Sequence, residues 1–364
     1  MKSLAIKFLP IAIGAVWGGH YYATSDVRSA LDDKAEMLEM LGVGTLEYGW
    51  VYITPGGSLT ITDLAFHAND QGGRMAPGPT AGMGLDGQSL AADAVRLDAG
   101  SLMGLYRLQS GGQPPEELTL AVDGITLDAD AAGANSDLAW LPEAALGACN
   151  DATPVDPADF SDHLGTDLQR TPADIELTYG LDNGDMTLDG ALRLEGVGNA
   201  RVTAQIDAAA GAGELIQSAG AQMPGAQLPG GPMLGAQSGG GSIDHLTLIY
   251  TDDGLYPALR DYCQEATDET DDALIDARVA AVTDQLRQHT GRQAGPDLRA
   301  AYRAFLAEPE SFAVRLQPRG SMGVHQLQTV SLKRINQHFI GRLNVNGEAM
   351  GYLQFIRPDD ADDS

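Results

Sequence analysis

The residue types that most often carry chemistry are widely scattered in this sequence. The seven histidines are His20, His67, His163, His245, His289, His325 and His338. None of them is spaced from another as metal ligands usually are, and neither an H-E-x-x-H nor a Cys-x-x-Cys motif occurs. The sequence therefore predicts no metal site and no cofactor.

Three short stretches have part of a catalytic or metal-binding pattern. Asp244-His245 could be a base with its orienting acid, but neighbours on a strand point to opposite faces, so we interpret them as a surface pair. Gly320-Ser321-Met322-Gly323 resembles a nucleophile elbow, but Arg319 occupies the position of its first glycine. The acidic cluster from Asp268 to Asp272 lacks the spacing and glycine of an EF-hand loop. We predict a non-enzymatic protein.

The net charge limits the classes of binding partner that we expect. The net charge of −28 repels nucleic acids and anionic lipid surfaces at long range, so we predict no nucleic-acid partner. Lysine is almost absent, whereas acidic residues occur in nearly every segment. A high-salt habitat, in which screening tolerates such a charge, and an acidic, GC-rich proteome both explain this bias.

The first 23 residues favour export. Lys2 and Lys7 precede an apolar run from Phe8 to Gly19. A cleaved signal peptide and an uncleaved anchor both fit: small residues near Ala23 favour cleavage, and interfacial aromatic residues at positions 17, 21 and 22 favour an anchor. We favour the anchor, and both interpretations place the rest of the chain outside the cytoplasm.

Export bears on the two cysteines, Cys149 and Cys263. Two cysteines in an exported chain most often form a disulfide, although free thiols are the alternative.

The stretch from Ala173 to Asp207 has the clearest structural pattern. Apolar and polar residues alternate on both sides of Asn183-Gly184, which predicts a β-hairpin with a type I′ turn. Val202, Ala204 and Ile206 add a third strand. We predict that one apolar face is shared by Ile175, Leu177, Tyr179, Leu188, Leu192 and Leu194.

The remaining patterns predict an α+β protein, mainly antiparallel β-meander sheets, with a membrane-proximal helix from Asp26 to Leu41 and a helical insertion. Within that insertion, Thr267 to His289 forms a helix with Ile275 and Val279 on its apolar stripe, and strands such as Val330 to Ile335 close the chain. The predicted segments are 1–23 (anchor or signal), 24–210 (helix and β region), 211–241 (flexible loop), 242–357 (strand, helices and closing strands) and 358–364 (acidic tail).

Several stretches together resemble a family. They are Trp17-Gly18-Gly19 with Tyr21-Tyr22, "TPADIELTYGLDNGDMTLDGALRLEGVG", "SIDHLTLIYTDDGL" and "PESFAVRLQP". This pattern resembles the YdgA-like and AsmA-like periplasmic proteins of Gram-negative bacteria. The resemblance implies an inner-membrane anchor facing the periplasm, a β-rich body and, in the AsmA-like branch, a curved sheet whose apolar groove carries acyl chains. The chain is shorter than the long AsmA-like proteins and has the helical insertion.

Two functional hypotheses follow. In the first, an anchored envelope protein binds lipid or another apolar ligand along its sheet. In the second, the sheet is ordinary core and the protein is a scaffold that docks other envelope proteins.

Overall fold

The computed structural model describes the chain from residue 24 to residue 357 with several gaps. The described residues are 24–54, 56–69, 89–110, 115–128, 148–150, 153–166, 168, 171–207, 241–327 and 330–357. The predicted membrane segment, the acidic tail and nearly all of the predicted flexible loop lie outside this range. In the part of the chain that is described, no helix has both the length and the apolar character needed to cross a bilayer.

The described chain is β-rich, and twelve of its strands belong to one large antiparallel sheet accompanied by helices. The α+β prediction is confirmed at this level. The strands are β1 Gly44–Glu47, β2 Val51–Ile53, β3 Ser58–Ala68, β4 Ser89–Asp98, β5 Glu117–Asp128, β6 Ala148–Asn150, β7 Thr153–Pro154, β8 Ala173–Asp182, β9 Asp185–Leu194, β10 Gly198–Asp207, β11 Ser242–Asp252, β12 Gln293–Ala294, β13 Ser311–Pro318, β14 Phe339–Val345, β15 Glu348–Leu353 and β16 Phe355–Ile356. The helices are α1 Thr24–Met40, α2 Leu102–Ser110, α3 Pro157–Leu164, α4 Leu255–Thr267, α5 Asp271–Thr290, α6 Pro296–Ala307, α7 Val324–Leu327 and α8 Ile335–His338.

The chain divides into two compact units. The first contains β1 to β5, β8, α1 and α2, with strand order β1-β3-β4-β5-β8 and β2 paired to β3. Aliphatic residues meet along its strands, as where Ile61 is opposite Val95 and Val95 is opposite Val122. Their burial places the apolar face of these strands in the interior of the unit.

The turn after β8 has the predicted geometry. Asn183 and Gly184 have φ angles of 53° and 95°, the positive values that a type I′ turn requires at both central positions. Strand β5 continues through a bend at Asp123-Gly124, where Gly124 has a φ of 63°.

The second unit contains β9 from Thr187 onward, β10, β11, β13 to β15 and helices α3 to α8. The strand order within it is β9-β10-β11-β13-β14-β15. The predicted helix from Thr267 to His289 corresponds to α5, which begins four residues later because Thr267 ends α4.

The predicted strand from Val330 to Ile335 is wrong. This stretch contains a single helical turn, Leu332–Arg334, and the start of α8. Val330 and Ile335 pack against a buried cluster of Ile243, Met322 and Phe339. Their apolar side chains are therefore explained by a short helical segment that packs on the sheet.

Candidate functional site

The three predicted face residues of β8 lie against β5 of the first unit. The register pairs Ile175, Leu177 and Tyr179 with the aliphatic residues Val122, Leu120 and Leu118, respectively. Ile175 and Tyr179 are buried. The Tyr179 hydroxyl donates a hydrogen bond of 3.1 Å to the Pro115 carbonyl oxygen, and burial raises the pKa of Tyr179 to about 12. Two of these three residues therefore belong to the buried core of the first unit, and Leu177 is half-buried.

The predicted face residues of β9 differ in exposure. Leu194 is buried and Leu192 half-buried, whereas Leu188 is 38% exposed. Asp189 shows which way the strand faces, because both of its carboxylate oxygens accept from Arg201 Nε, at 3.0 and 2.9 Å. Strand neighbours point to opposite faces, so Leu188 lies on the face away from this ion pair. That the β8 and β9 residues share one face stays a prediction.

A row of paired residues crosses the second unit on one face. Val202 on β10 is opposite Leu248 on β11. Leu248 is in turn opposite Val314 on β13, and Val314 is opposite Leu343 on β14. Val202 and Leu248 are 41% and 45% exposed, whereas Leu343 is fully buried at 0%. The row therefore passes from open surface into core within four strands.

Helices α5 and α6 cover the buried end of this row. Leu343 and Val345 form one cluster with Ile275 of α5 and Phe305 and Leu306 of α6. Val279 packs against the same cluster, so the predicted apolar stripe of α5 contributes to the core of the second unit. Phe305 meets the rings of Tyr250, Tyr256 and Phe312 edge to face, at centroid distances of 5.1 to 5.9 Å.

The buried cluster of Ile243, Met322 and Phe339 covers another part of the same face. Phe339, Leu343 and Val345 alternate along β14 and so point to one side. The two clusters leave Leu188, Val202 and Leu248 uncovered by the described core. We refer to these three side chains as the open stripe.

Small residues surround the open stripe. By alternation, Gly190 on β9 and Ala200 and Ala204 on β10 lie on the same face as Leu188 and Val202. None of these side chains carries a hydrogen-bonding group. The open stripe is thus a shallow aliphatic surface suited to contact with hydrocarbon.

A half-buried pair of polar side chains, Tyr250 and Asp252, marks the end of β11. The Tyr250 hydroxyl lies 2.9 Å from the Val197 carbonyl oxygen and 3.0 Å from Asp252 Oδ1. Burial raises the pKa of Tyr250 well above its ordinary value. Burial also raises the pKa of Asp252, although this carboxylate accepts from the backbone N–H groups of Gly254 and Tyr256. The pair connects the strand to the first turn of α4 and is structural.

Cys149 and Cys263 form a disulfide, with their sulfur atoms 2.04 Å apart. Both cysteines are buried, and the bond connects β6 to α4. The adjacent cavity, lined in part by Tyr256, Arg260 and Arg278, has a volume of about 30 Å³. This is room for a water molecule and not for an acyl chain.

Another sequence candidate, the Asp244-His245 pair, lies on β11. His245 Nδ1 and Asp244 Oδ2 are 3.0 Å apart, so our expectation that they point apart is wrong; the β10–β11 register shifts beside them, between Gln205 and Ile206. Asp244 is exposed, whereas His245 is half-buried, so the surface-pair interpretation fits only the aspartate. Within the described ranges, no group of three or more His, Cys, Asp or Glu side chains could hold a metal ion.

Comparison with known proteins adds one match. A family model described as "Uncharacterized protein" matches residues 186–350. No curated protein matches the chain. The matched residues are fewer than half of the 364 in the chain. They run from Met186, at the start of β9, to Met350 in β15, and therefore include the open stripe.

The sequence identified Leu188 but not the rest of the open stripe. The alternation in β10 and β11 indicates that Val202 and Leu248 share a face with other apolar residues. It does not indicate where the covering helices end, and this depends on the packing of α5 and α6 against β14.

Proposed function

We propose that this protein is an exported, membrane-anchored envelope protein that binds the acyl chain of a lipid on the open stripe. The observation that supports the proposal is the exposure of Leu188, Val202 and Leu248 on a face whose other end is buried beneath α5 and α6. Contacts with an acyl chain would remove this apolar surface from water. Burying a side chain of this size stabilises by about 1.5–3 kcal/mol relative to full exposure, and the part already buried reduces this gain.

The chemistry of the open stripe favours hydrocarbon over a protein partner. Protein interfaces depend on aromatic and arginine anchors surrounded by a polar rim. The open stripe has only aliphatic side chains, with glycine and alanine beside them. An acyl chain needs no hydrogen-bond partner and can follow a shallow groove of this kind.

The disulfide supports export. Disulfides persist in oxidising compartments such as the periplasm and are rare in the cytosol. The Cys149–Cys263 bond therefore agrees with the basic and apolar start of the sequence. The resemblance to YdgA-like and AsmA-like proteins points to the same location and stays a prediction, as does the absence of catalysis.

Binding of a fluorescent polyene fatty acid to the purified protein tests the proposal. We expect Val202→Ser and Leu248→Ser each to weaken binding several-fold, up to about tenfold, because each removes apolar contact area. Ile249→Ser is the matched control, since Ile249 is the neighbour of Leu248 on the opposite face of β11. It should leave the affinity within about twofold of wild type.

Two results would overturn the proposal. Equal weakening by Leu248→Ser and Ile249→Ser would place the ligand elsewhere. The second result is a wild-type protein that binds no fatty acid and from which organic solvent extracts no lipid. This result would reject lipid binding, and the scaffold hypothesis would remain.

A further inference from the structure

Two arginines are neighbours on the other face of the second unit's sheet. Arg315 on β13 is directly opposite Arg342 on β14, and both side chains are exposed. Directly opposite residues on antiparallel strands have Cβ atoms about 4.5–5.5 Å apart. The row continues with Thr247 beside Arg315 and Tyr352 beside Arg342.

Some arginines of this protein form ion pairs with carboxylates. Arg96 is bound to Asp123, Arg201 to Asp189, and Arg303 to Asp272 and Asp276. Among the residues that the structure describes, neither Arg315 nor Arg342 has a carboxylate partner. Like charges directly opposite each other destabilise a sheet.

This arrangement is unusual because the chain has 50 acidic and only 22 basic residues. Two acidic groups of this unit have partners other than Arg315 and Arg342. Asp189 is bound to Arg201 on strands β9 and β10, and β9 is three strand positions from β13, about 14 Å. Asp297 accepts the Tyr352 backbone N–H at 2.9 Å, at the outer side of β15.

The neutral neighbours of the pair are hydrogen-bond donors. Thr247 and Tyr352 carry hydroxyl groups, and Tyr352 is 50% exposed. Two guanidinium groups beside two hydroxyl groups provide charge-assisted and neutral donors on one surface. Guanidinium groups bind phosphate oxygens bidentately, so the combination suits a phosphate group in particular.

We propose that Arg315 and Arg342 form a binding site for a phosphate-class oxyanion, with Thr247 and Tyr352 as flanking donors. The ligand is either free phosphate or the phosphate of a lipid headgroup. The site lies on the face opposite the open stripe, so it does not depend on acyl-chain binding. A bound oxyanion offsets the repulsion between the two arginines.

Calorimetric titration with inorganic phosphate, at an ionic strength held constant with sodium chloride, tests the site. We expect saturable binding that Arg315→Gln and Arg342→Gln each weaken about tenfold, since each removes charge-assisted hydrogen bonds. Arg201→Gln is the matched control, because its arginine lies on the same face and is paired with Asp189. It should change the affinity less than about threefold.

Co-sedimentation with phosphatidylcholine vesicles doped with phosphatidic acid distinguishes the two sources. Sedimentation that requires both arginines and is competed by phosphate identifies a lipid headgroup; binding of inorganic phosphate alone identifies the free ion. Equal phosphate binding by wild type and both glutamine variants overturns the proposal, as does no binding by wild type in either assay.

Urea unfolding distinguishes a variant that has lost the site from a variant that has failed to fold. Arg315→Gln should raise the urea midpoint measured without phosphate, because it removes a like-charge contact, and phosphate should no longer raise that midpoint. A midpoint that phosphate raises equally in wild type and variant also overturns the proposal.

Discussion

The carboxylate of Asp252 accepts the backbone N–H of Gly254 through Oδ2 and that of Tyr256 through Oδ1, at 3.0 and 3.3 Å. It thereby caps the first turn of α4 from the end of β11, while its Oδ1 also lies 3.0 Å from the Tyr250 hydroxyl. One side chain thus connects the sheet to the helix that carries Cys263.

This contact predicts that the stability of the folded protein depends on pH. Burial is the main cause that raises the pKa of Asp252 above the ordinary value of an aspartate. Its folded-state pKa then exceeds the unfolded one, so the linked stability is fully present below about pH 3.9 and is lost as pH rises through the folded value. We expect wild type to gain stability relative to Asp252→Asn as the pH falls from 7 to 4.

Urea unfolding at several pH values measures this difference. Asp252→Ala, which removes the cap at every pH, should cost about 1 kcal/mol at pH 7. A wild-type protein that loses stability relative to Asp252→Asn on acidification would contradict the assigned direction.

The disulfide gives a second prediction. The bonded cysteines are 114 residues apart, and in the chain-entropy model a loop of this length stabilises by about 4–5 kcal/mol. Cys149→Ser should lower the melting temperature about as much as the double variant, because either change opens the same loop. Native protein whose two thiols react freely without reductant would show that the bond does not form.

The buried and exposed parts of the predicted apolar face should respond differently to truncation. Ile175→Ala removes buried methyl groups and should cost about 2–4 kcal/mol. Leu188→Ala, at a side chain that is 38% exposed, should cost less than about 1.5 kcal/mol. Chemical denaturation of both variants measures this contrast, and equal losses would show that the open stripe is covered in solution.

Two neighbouring glycines in the β2–β3 turn provide a matched pair. Gly57 has a φ of 89°, and a Cβ there would overlap the backbone carbonyl group of Ser101. A Cβ at Gly56 would meet no atom closer than Thr54 Oγ1, at 3.7 Å. We expect Gly57→Ala to cost more than about 2 kcal/mol and Gly56→Ala less than about 1 kcal/mol. Thermal melting of both variants measures this difference. A larger loss of melting temperature for Gly56→Ala than for Gly57→Ala would refute the close approach to Ser101.

The sequence predicted features that depend on local chemistry. Asn183-Gly184 specified its turn because few other residues adopt positive φ at both positions. The helix α3 was missed, although Asp156-Pro157 is a recognisable start: the Asp156 carboxylate accepts the N–H groups of Ala158 and Asp159, and proline is favoured in the first turn.

Features that depend on distant packing could not be predicted. Val330 and Ile335 have strand-like character, but they flank a helical turn and pack against the buried cluster that contains Phe339. Likewise, the alternation in β11 placed Leu248 on an apolar face without showing that the helices leave it exposed. The pairing of Arg315 with Arg342 requires the register of β13 and β14, which are separated in the sequence by the α7 and α8 segment.

The disulfide also determines how a cut chain behaves. Cys149 and Cys263 enclose β8 to β11, and therefore every residue of the open stripe. A protease that cleaves once between the two cysteines produces two fragments that stay covalently joined. On a non-reducing gel such a nicked protein runs as one species, and only reduction separates the fragments, so limited proteolysis must be read under both conditions.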